Sequence, residues 1–292
     1  MTDPDSPDRD AHDDRERDEE ARNLIAAQER AEEQMVEAAD VSRRAPLHEI
    51  FTSIQGEALF AGLQQIFIRF CGCDLECPWC DTGEARGAAP AEVWCQAKPG
   101  VRGFCIENPA RIGDVRDVVK RILRYDEEGA IHSISLTGGE PLLHPGYLAD
   151  LAATLREFDL PIMLETNGLR PDNLRKVLRM IDWVAADYKL DSAMGRPLDG
   201  EARREFLRLA RHKRAFVKIV LTADATDEEL EEAFEEIAAV DPACPVFLQP
   251  VTPVGDVRPP GGLDLIRFRA LAVRLLHDVR VMPQIHKLLG IK

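Results

Sequence analysis

Four of the seven cysteines fall within ten residues, Cys71-Gly72-Cys73-Asp74-Leu75-Glu76-Cys77-Pro78-Trp79-Cys80. Three of them, Cys73, Cys77 and Cys80, read C-x3-C-x2-C. Thiolates this close on one short loop converge on a single metal centre, and Gly72 and Pro78 help the backbone turn. Three ligands on a [4Fe-4S] cube leave one iron open to a substrate or cofactor, unlike the closed four-cysteine cluster of an electron carrier. The competing reading is a structural zinc knuckle in which Cys71 supplies a fourth ligand. Zinc sites usually pair two C-x2-C halves, and this loop does not.

Other residues in the chain could serve such a centre. Arg69 interrupts the apolar run just before the cysteines; it either reaches the sheet edge or offers its guanidinium fork to a carboxylate. Gly138-Gly139 lets backbone approach a ligand closely, and Glu140 beside it can accept from an ammonium group. Thr82 can give its hydroxyl to a hard cation such as magnesium, or make a turn or helix cap. Lys189, between Asp187 and Asp191, reads by itself as a surface ion pair. His286 reads as a packed histidine in an apolar tail, and Cys95 and Cys105 lack the further ligands of a second metal site.

Six strand-then-helix units are expected to position these groups. The strand at residues 65–70 runs straight into the cysteine loop. Further strands are expected at 131–136, 161–164, 183–186, 216–221 and 246–248. Helices are expected at about 114–128, 147–158, 171–180, 201–211, 227–240 and 264–277. This alternation implies βαβ crossovers and a parallel sheet, and six units suit an open partial β/α barrel better than a closed eightfold one. Polar residues recur at the C-terminal ends of the strands, which is the ligand-binding edge of parallel α/β folds: Arg69, Thr137, Glu165-Thr166-Asn167, Asp187 with Lys189, and Gln249. The glycine-, proline- and alanine-rich stretch 83–112 reads as an insertion loop.

Composition narrows the classes. The chain has 292 residues, of which 45% are hydrophobic, enough for a large core. No apolar run of about 18 residues suggests a membrane span, and the acidic start is not a secretory signal. Clustered cysteines point to a reducing, cytoplasmic setting. The net charge of −15 argues against nucleic acid as a partner. Residues 1–44 hold 15 acids against 7 bases, net −8, and read as a disordered or loosely helical tail outside a 45–292 core.

In combination, Cys73-x3-Cys77-x2-Cys80 and Gly138-Gly139-Glu140-Pro141 resemble the radical S-adenosylmethionine superfamily. Ile54-Gln55-Gly56-Glu57, Arg69, Cys80-Asp81-Thr82, Leu164–Gly168, Gln249–Pro253 and Met282–Lys287 resemble the 7-carboxy-7-deazaguanine synthase family within it. The resemblance implies a lyase of queuosine and 7-deazapurine biosynthesis. It would use a [4Fe-4S] cluster, S-adenosylmethionine and magnesium to convert 6-carboxy-5,6,7,8-tetrahydropterin to the deazaguanine with loss of ammonia. It also implies cluster ligation by Cys73, Cys77 and Cys80, and cofactor contacts at Trp79, Cys80, Asp81, Gly139, Glu140, Asp187, Tyr188 and Lys189. Substrate contacts would be Ile54, Gln55, Gly56, Arg69 and Thr137, with Thr82 on magnesium. A flavodoxin- or ferredoxin-type reductant and a homodimer are further implications. Asp187-Tyr188-Lys189 stands where the family more often shows Ser-Pro-Lys. Ala58 stands where it usually has glycine, so the turn is expected to avoid positive φ. Two rivals remain at this stage: an activase that places a glycyl radical on a partner protein, and a zinc or iron–sulfur binding module.

Overall fold

The computed structural model describes residue 23 and residues 26–292, so most of the acidic opening expected to be disordered lies outside the described residues. Residues 26–37 are helical (α1), and Met35 and Ala39 pack against the core. The Val41 and Arg43 carbonyls accept from Gly113 and Ile112 N–H at 3.1 and 3.2 Å. Strand β1 (Arg44–Ala45) pairs antiparallel with β6 (Ala110–Arg111). Contact with the core therefore begins before residue 45.

Strand β2 (Leu47–Ile54) runs antiparallel to β3 (Gln64–Phe70), and β3 leads into the cysteine loop. The stretch expected to be a loop instead carries a short helix α2 (Gly83–Arg86) and a hairpin of β4 (Glu92–Cys95) and β5 (Phe104–Glu107). The hairpin adds to the sheet beside β2. It also settles the two outlying cysteines: Cys95 pairs with Phe104 and Cys105 with Trp94. One-residue offsets on a strand face opposite ways, so Cys95 is buried and Cys105 exposed.

The expected alternation follows. It comprises α3 (Ile112–Leu123), β7 (Ile131–Gly138), α4 (Pro145–Leu155), β8 (Ile162–Thr166), α5 (Pro171–Val177), β9 (Trp183–Tyr188), α6 (Asp191–Met194) and α7 (Gly200–Ala210). It continues through β10 (Arg214–Leu221), α8 (Asp227–Val240), β11 (Val246–Pro250), α9 (Gly262–Ala272), β12 (Val279–Val281) and α10 (Ile285–Leu289). The sheet order is β12-β11-β10-β9-β8-β7-β3-β2-β4-β5, parallel from β3 through β12. The six expected units are present, and β12 adds a seventh parallel strand.

Local sequence explains the helices. α3 buries Ile112, Val115, Val118, Val119 and Ile122, a single stripe at helical spacing. α8 starts on Thr226, whose hydroxyl accepts from Glu229 N–H, with three acids in the first turn. The concave side of the sheet is plugged at its lower end by Phe60, Met163, Phe216 and Phe247. Phe60 comes from the 3-10 turn Ala58–Phe60 and meets Trp183 edge-on, ring centroids 4.9 Å apart.

Ala58, expected to avoid positive φ, adopts +51°. A left-handed alanine costs about 1–2 kcal/mol. Burying its methyl returns about 0.8 kcal/mol, and losing less chain entropy than glycine on folding about 0.4–1. These nearly cancel, which is why the position accepts alanine.

Candidate active site

Strand periodicity decides which side chains meet. Every second residue faces the concave side: Phe67 and Arg69 on β3, Met163 and Glu165 on β8, Ala185 and Asp187 on β9, Phe216, Lys218 and Val220 on β10. Above the aromatic plug these residues line a cavity of about 200 Å³. Cys73, Cys77, Cys80, Trp79, Asp81 and Thr82 open onto it, as do Ile54, Gln55, Gly56, Thr137, Gly139 and Lys189.

Two expected contacts do not face this space. Tyr188 is one residue out of phase with Asp187; it packs into the outer core and donates its hydroxyl to Glu236 at 2.9 Å. Glu140 is fully buried. It accepts from Leu142 N–H, Thr166 Oγ1 and Asn167 N–H at 2.8–2.9 Å, bracing strand ends rather than meeting an ammonium group. Burial pushes its carboxyl up to about 7 against these donors.

The glycines serve the cysteine loop. A Cβ on Gly139 would lie 1.9 Å from the Gly72 carbonyl oxygen, and one on Gly138, at φ +133°, would lie 2.3 Å from Phe70 N. Their close approach is thus to the protein's own backbone rather than directly to a ligand. Glu140 N–H donates to Gly72 O (2.8 Å), Gly139 N–H to Phe70 O (3.0 Å) and Gly72 N–H to Ala85 O (2.8 Å). Asp74 accepts from Asn167 Nδ2 at 2.8 Å and pairs with Arg170 at 2.9 Å. The loop is therefore held from three sides.

The three motif thiols face the cavity while Cys71 is buried away from it. Burial pushes the Cys73 thiol up to about 11 and raises Cys77, so these sulfurs need metal charge to become thiolates. Three motif thiols opening onto one cavity, with the fourth thiol of the loop buried away from it, suit an iron–sulfur cube with one open iron.

One wall of the cavity carries charge. Lys218 Nζ contacts Glu57 and lies 3.1 Å from Asp187, while Lys189 lies 2.5 Å from Asp187 and 5.9 Å from the Trp79 ring centroid. Lys189 is buried, not the surface ion pair it resembles in isolation. Burial by itself would lower Lys218, but Asp187, Glu57 and Glu165 hold its ammonium well above the ordinary range. Burial likewise opposes ionisation of Asp187, and Lys189 and Lys218 overcome it. Glu165 is raised chiefly by burial. It accepts from Ser135 Oγ at 2.6 Å and from Gln55 Nε2 at 3.0 Å. Gln55 also donates to Gln65 at 2.9 Å, so its amide positions neighbours as well as lining the cavity.

Sequence reasoning put Glu165 on the ligand-binding edge, where the cavity lies, but missed Glu57, Lys218 and His286 as cavity residues. For Lys218 the signal was available, since it sits two residues from the inward-facing Phe216 and Val220. His286 comes from the C-terminal segment, which folds over the cavity: a Cβ on Gly56 would strike His286 Nδ1 at 2.1 Å, and Ile285 N–H donates to Gly56 O at 2.9 Å. His286 Nε2 lies 3.6 Å from Asp81. Burial raises the Asp81 carboxyl, but His286, Lys287 and Lys218 bring it below the usual range. No local pattern announces such a contact.

The chain matches the Radical SAM superfamily over residues 67–237. It is 40% identical over 247 residues to the 7-carboxy-7-deazaguanine synthase of Geobacter sulfurreducens, covering 84% of this chain and 97% of that one. It is 34% identical to the enzyme of the same name from Methanopyrus kandleri, covering 83% and 92%. The crystal structure of QueE from Escherichia coli superposes with a TM-score of 0.53 at 23% identity, covering 83% of this chain and 95% of that one, a likeness of fold. With three thiols facing one cavity at the strand ends, and with relatives of this identity along most of its length, the chain belongs to the radical SAM superfamily and, within it, to the 7-carboxy-7-deazaguanine synthase family.

Proposed function

We propose that this protein is a carbon–nitrogen lyase that converts 6-carboxy-5,6,7,8-tetrahydropterin to 7-carboxy-7-deazaguanine with loss of ammonia, in queuosine and 7-deazapurine biosynthesis. The observation that carries this reading is one cavity with the three cysteines at its rim and Arg69, Thr137, Gln55 and Glu165 lining it. When bound, the cluster and S-adenosylmethionine supply a hydrogen-abstracting radical; the protein orients both reactants and keeps water out.

Cys73, Cys77 and Cys80 would hold the cluster. Trp79, Asp81, Gly139, Asp187 and Lys189 lie on its side of the cavity as S-adenosylmethionine contacts, Asp187 and Lys189 giving one charge of each sign. Tyr188 and Glu140 support this wall from behind. Glu165 offers an acceptor suited to the amino and ring N–H groups of a pterin. Arg69 offers donors to its carboxylate, with Thr137 in register beside it. Ile54 and Gly56 close the substrate end.

Magnesium fits at Thr82, whose hydroxyl makes no capping bond and has a 3.8 Å contact with Cys80 Sγ. A hard cation there would take oxygen from Thr82 and from the substrate carboxylate. Glu57 and Asp81 are already engaged by Lys218, Lys287 and the Gln284 amide. A cavity bounded on one side by Gln284, His286 and Lys292 of the C-terminal segment suits a small molecule better than an extended peptide, which disfavours the activase. No helix among the described residues is long and apolar enough to cross a membrane. We further infer a cytoplasmic setting from the unpaired cysteines, a flavodoxin- or ferredoxin-type reductant, and a homodimer by likeness to the family.

The test is an anaerobic assay with reconstituted cluster, reductant, S-adenosylmethionine and the carboxytetrahydropterin. Deazaguanine should form in the parent. Thr82→Val should keep the cluster and uncoupled cofactor cleavage but lose most of the magnesium stimulation. Absence of product in an enzyme that cleaves S-adenosylmethionine would overturn the assignment.

A further inference from the structure

One buried carboxylate behind the cavity wall has no role in the reading above. Glu49, 4% exposed, stands directly opposite Arg69 across the β2–β3 ladder, and Arg69 stands opposite Thr137 across the β3–β7 ladder. The row Glu49–Arg69–Thr137 therefore crosses three strands on one face. Glu49 Oε1 accepts from Arg69 Nε at 2.9 Å. Glu49 Oε2 is held by the ammonium of Lys292.

This division of the two oxygens matters. A carboxylate facing a guanidinium ordinarily takes two parallel N–H donors, which here would tie up a terminal nitrogen as well as Nε. Here Lys292 retains one oxygen, so Glu49 engages only the Nε edge. No protein partner is recorded for the two terminal nitrogens of Arg69 among the described residues. Lys292 is fixed in turn: its carbonyl accepts from Ser53 Oγ at 2.6 Å, and its ammonium lies 4.9 Å from the Phe51 and 4.6 Å from the Trp94 ring centroids. Arg69 shares the Phe51 face, 5.7 Å from its centroid.

We propose that Glu49 is a positioning residue: braced by Lys292, it fixes Arg69 by the Nε edge and keeps the terminal edge of the guanidinium open for the substrate's carboxylate. The proposal rests on the pterin reading of the cavity and adds to it the device that sets carboxylate selectivity.

The test uses two oxidised, fluorescent, non-reacting probes, 6-carboxypterin and unsubstituted pterin, titrated into reconstituted holoenzyme with S-adenosylmethionine and no reductant. The parent should prefer 6-carboxypterin. Glu49→Gln keeps the volume and one acceptor. It should weaken 6-carboxypterin about tenfold, the scale of one charge-assisted contact, and leave pterin unchanged. Glu49→Asp should recover part of the preference. Lys292→Met, which leaves the buried acid in place, frees the second Glu49 oxygen to take a terminal nitrogen of Arg69 as well as Nε and should lower the preference severalfold in the same direction. In turnover, the Glu49→Gln loss should fall on KM more than on kcat, with uncoupled cofactor cleavage unchanged. Equal weakening of both probes would show a merely structural role, and undiminished selectivity in Glu49→Gln and Lys292→Met would show no role; either result overturns the proposal. A parent with no preference for the carboxylated probe would instead overturn the pterin reading beneath it.

Discussion

Replacing Gly139 with alanine should disable cluster binding without touching a ligand. The added Cβ would sit 1.9 Å from Gly72 O, 2.6 Å from Gly72 C and 3.2 Å from Ala85 O. Ordinary contact requires roughly 1.5 Å of movement. That movement cannot be taken up by a side-chain rotation, because every atom struck is backbone. It breaks Glu140 N–H to Gly72 O and strains Gly139 N–H to Phe70 O, at about 1 kcal/mol each. Overpacking adds about 1–3 kcal/mol, so a destabilisation of roughly 3–5 kcal/mol is expected. The displaced carbonyl precedes Cys73, and a misplacement of ~1 Å at a reacting centre costs about a hundredfold. Gly139→Ala should therefore show lower iron per chain after reconstitution, a lower Tm and at least a hundredfold slower cleavage of S-adenosylmethionine. Gly262→Ala is the control: nothing lies within 4 Å of its added Cβ, and helix propensity predicts no loss and a gain of up to ~1 kcal/mol. Parent-level iron and parent-level cleavage in Gly139→Ala would falsify the packing argument.

Three further outcomes are expected. Lys218→Met leaves Glu57 and Asp187 without their shared ammonium and should cost about 3–5 kcal/mol near neutrality. Because Asp187 is held below its ordinary range in the parent, its contribution is present above about pH 4 and lost as pH falls; urea titrations should find the gap narrowing in acid, and a gap constant with pH counts against the network. Glu140 behaves oppositely: its folded value near 7 exceeds its unfolded value, so stability from this group declines as pH rises from about 4.5 to 7, by roughly 3 kcal/mol. Glu140→Gln should flatten that part of the profile, and an unchanged slope would show that its three donors keep it ionised. Starting the chain at Asn23 should leave Tm and turnover unchanged, whereas starting at Ala45 removes Arg43, which pairs with Asp150 at 2.9 Å, and half of β1, and should lower Tm; equal Tm values would restore the boundary at residue 44.

Much of this architecture was legible because it is local. The strand-then-helix alternation from Asp114 onward follows from apolar spacing, and the strand-end motifs follow from where each apolar run stops. What the sequence concealed was set by pairing between distant segments. The stretch 83–112 looks like a loop because its strands are four residues long and lean on β2 for their hydrogen bonds. Tyr188 reads as a ligand by adjacency to Asp187 and Lys189, but a period of two sends it to the opposite face. Gly138-Gly139 is recognisable as a place of close approach; the thing approached, the Gly72 carbonyl, is known only once the β3–β7 register is known. Ala58 misleads for a related reason, since the cost of its left-handed φ is offset by burial in a plug that no local pattern describes.

The same dependence on distant pairing explains how the cavity is bounded on its C-terminal side. Gln284 accepts from Thr252 Oγ1 at 2.5 Å and donates to Glu57 Oε1 at 2.7 Å and Asp81 Oδ2 at 3.1 Å. One amide thus joins the turn after β2, the cysteine loop, the segment after β11 and the C-terminal segment. Glu57 passes the connection through Lys218 to Asp187 and Lys189, beneath Trp79. Each link is a charge or an amide with its capacity largely used by protein partners. The buried polar atoms here are consequently satisfied as a set, and a buried network is stabilising only when it is satisfied in that way. Removing one member exposes the rest to the full cost of burial. That cost falls on the groups placed to hold cofactor and substrate, so the stability of the cavity roof and the geometry of the reactants are set by the same contacts.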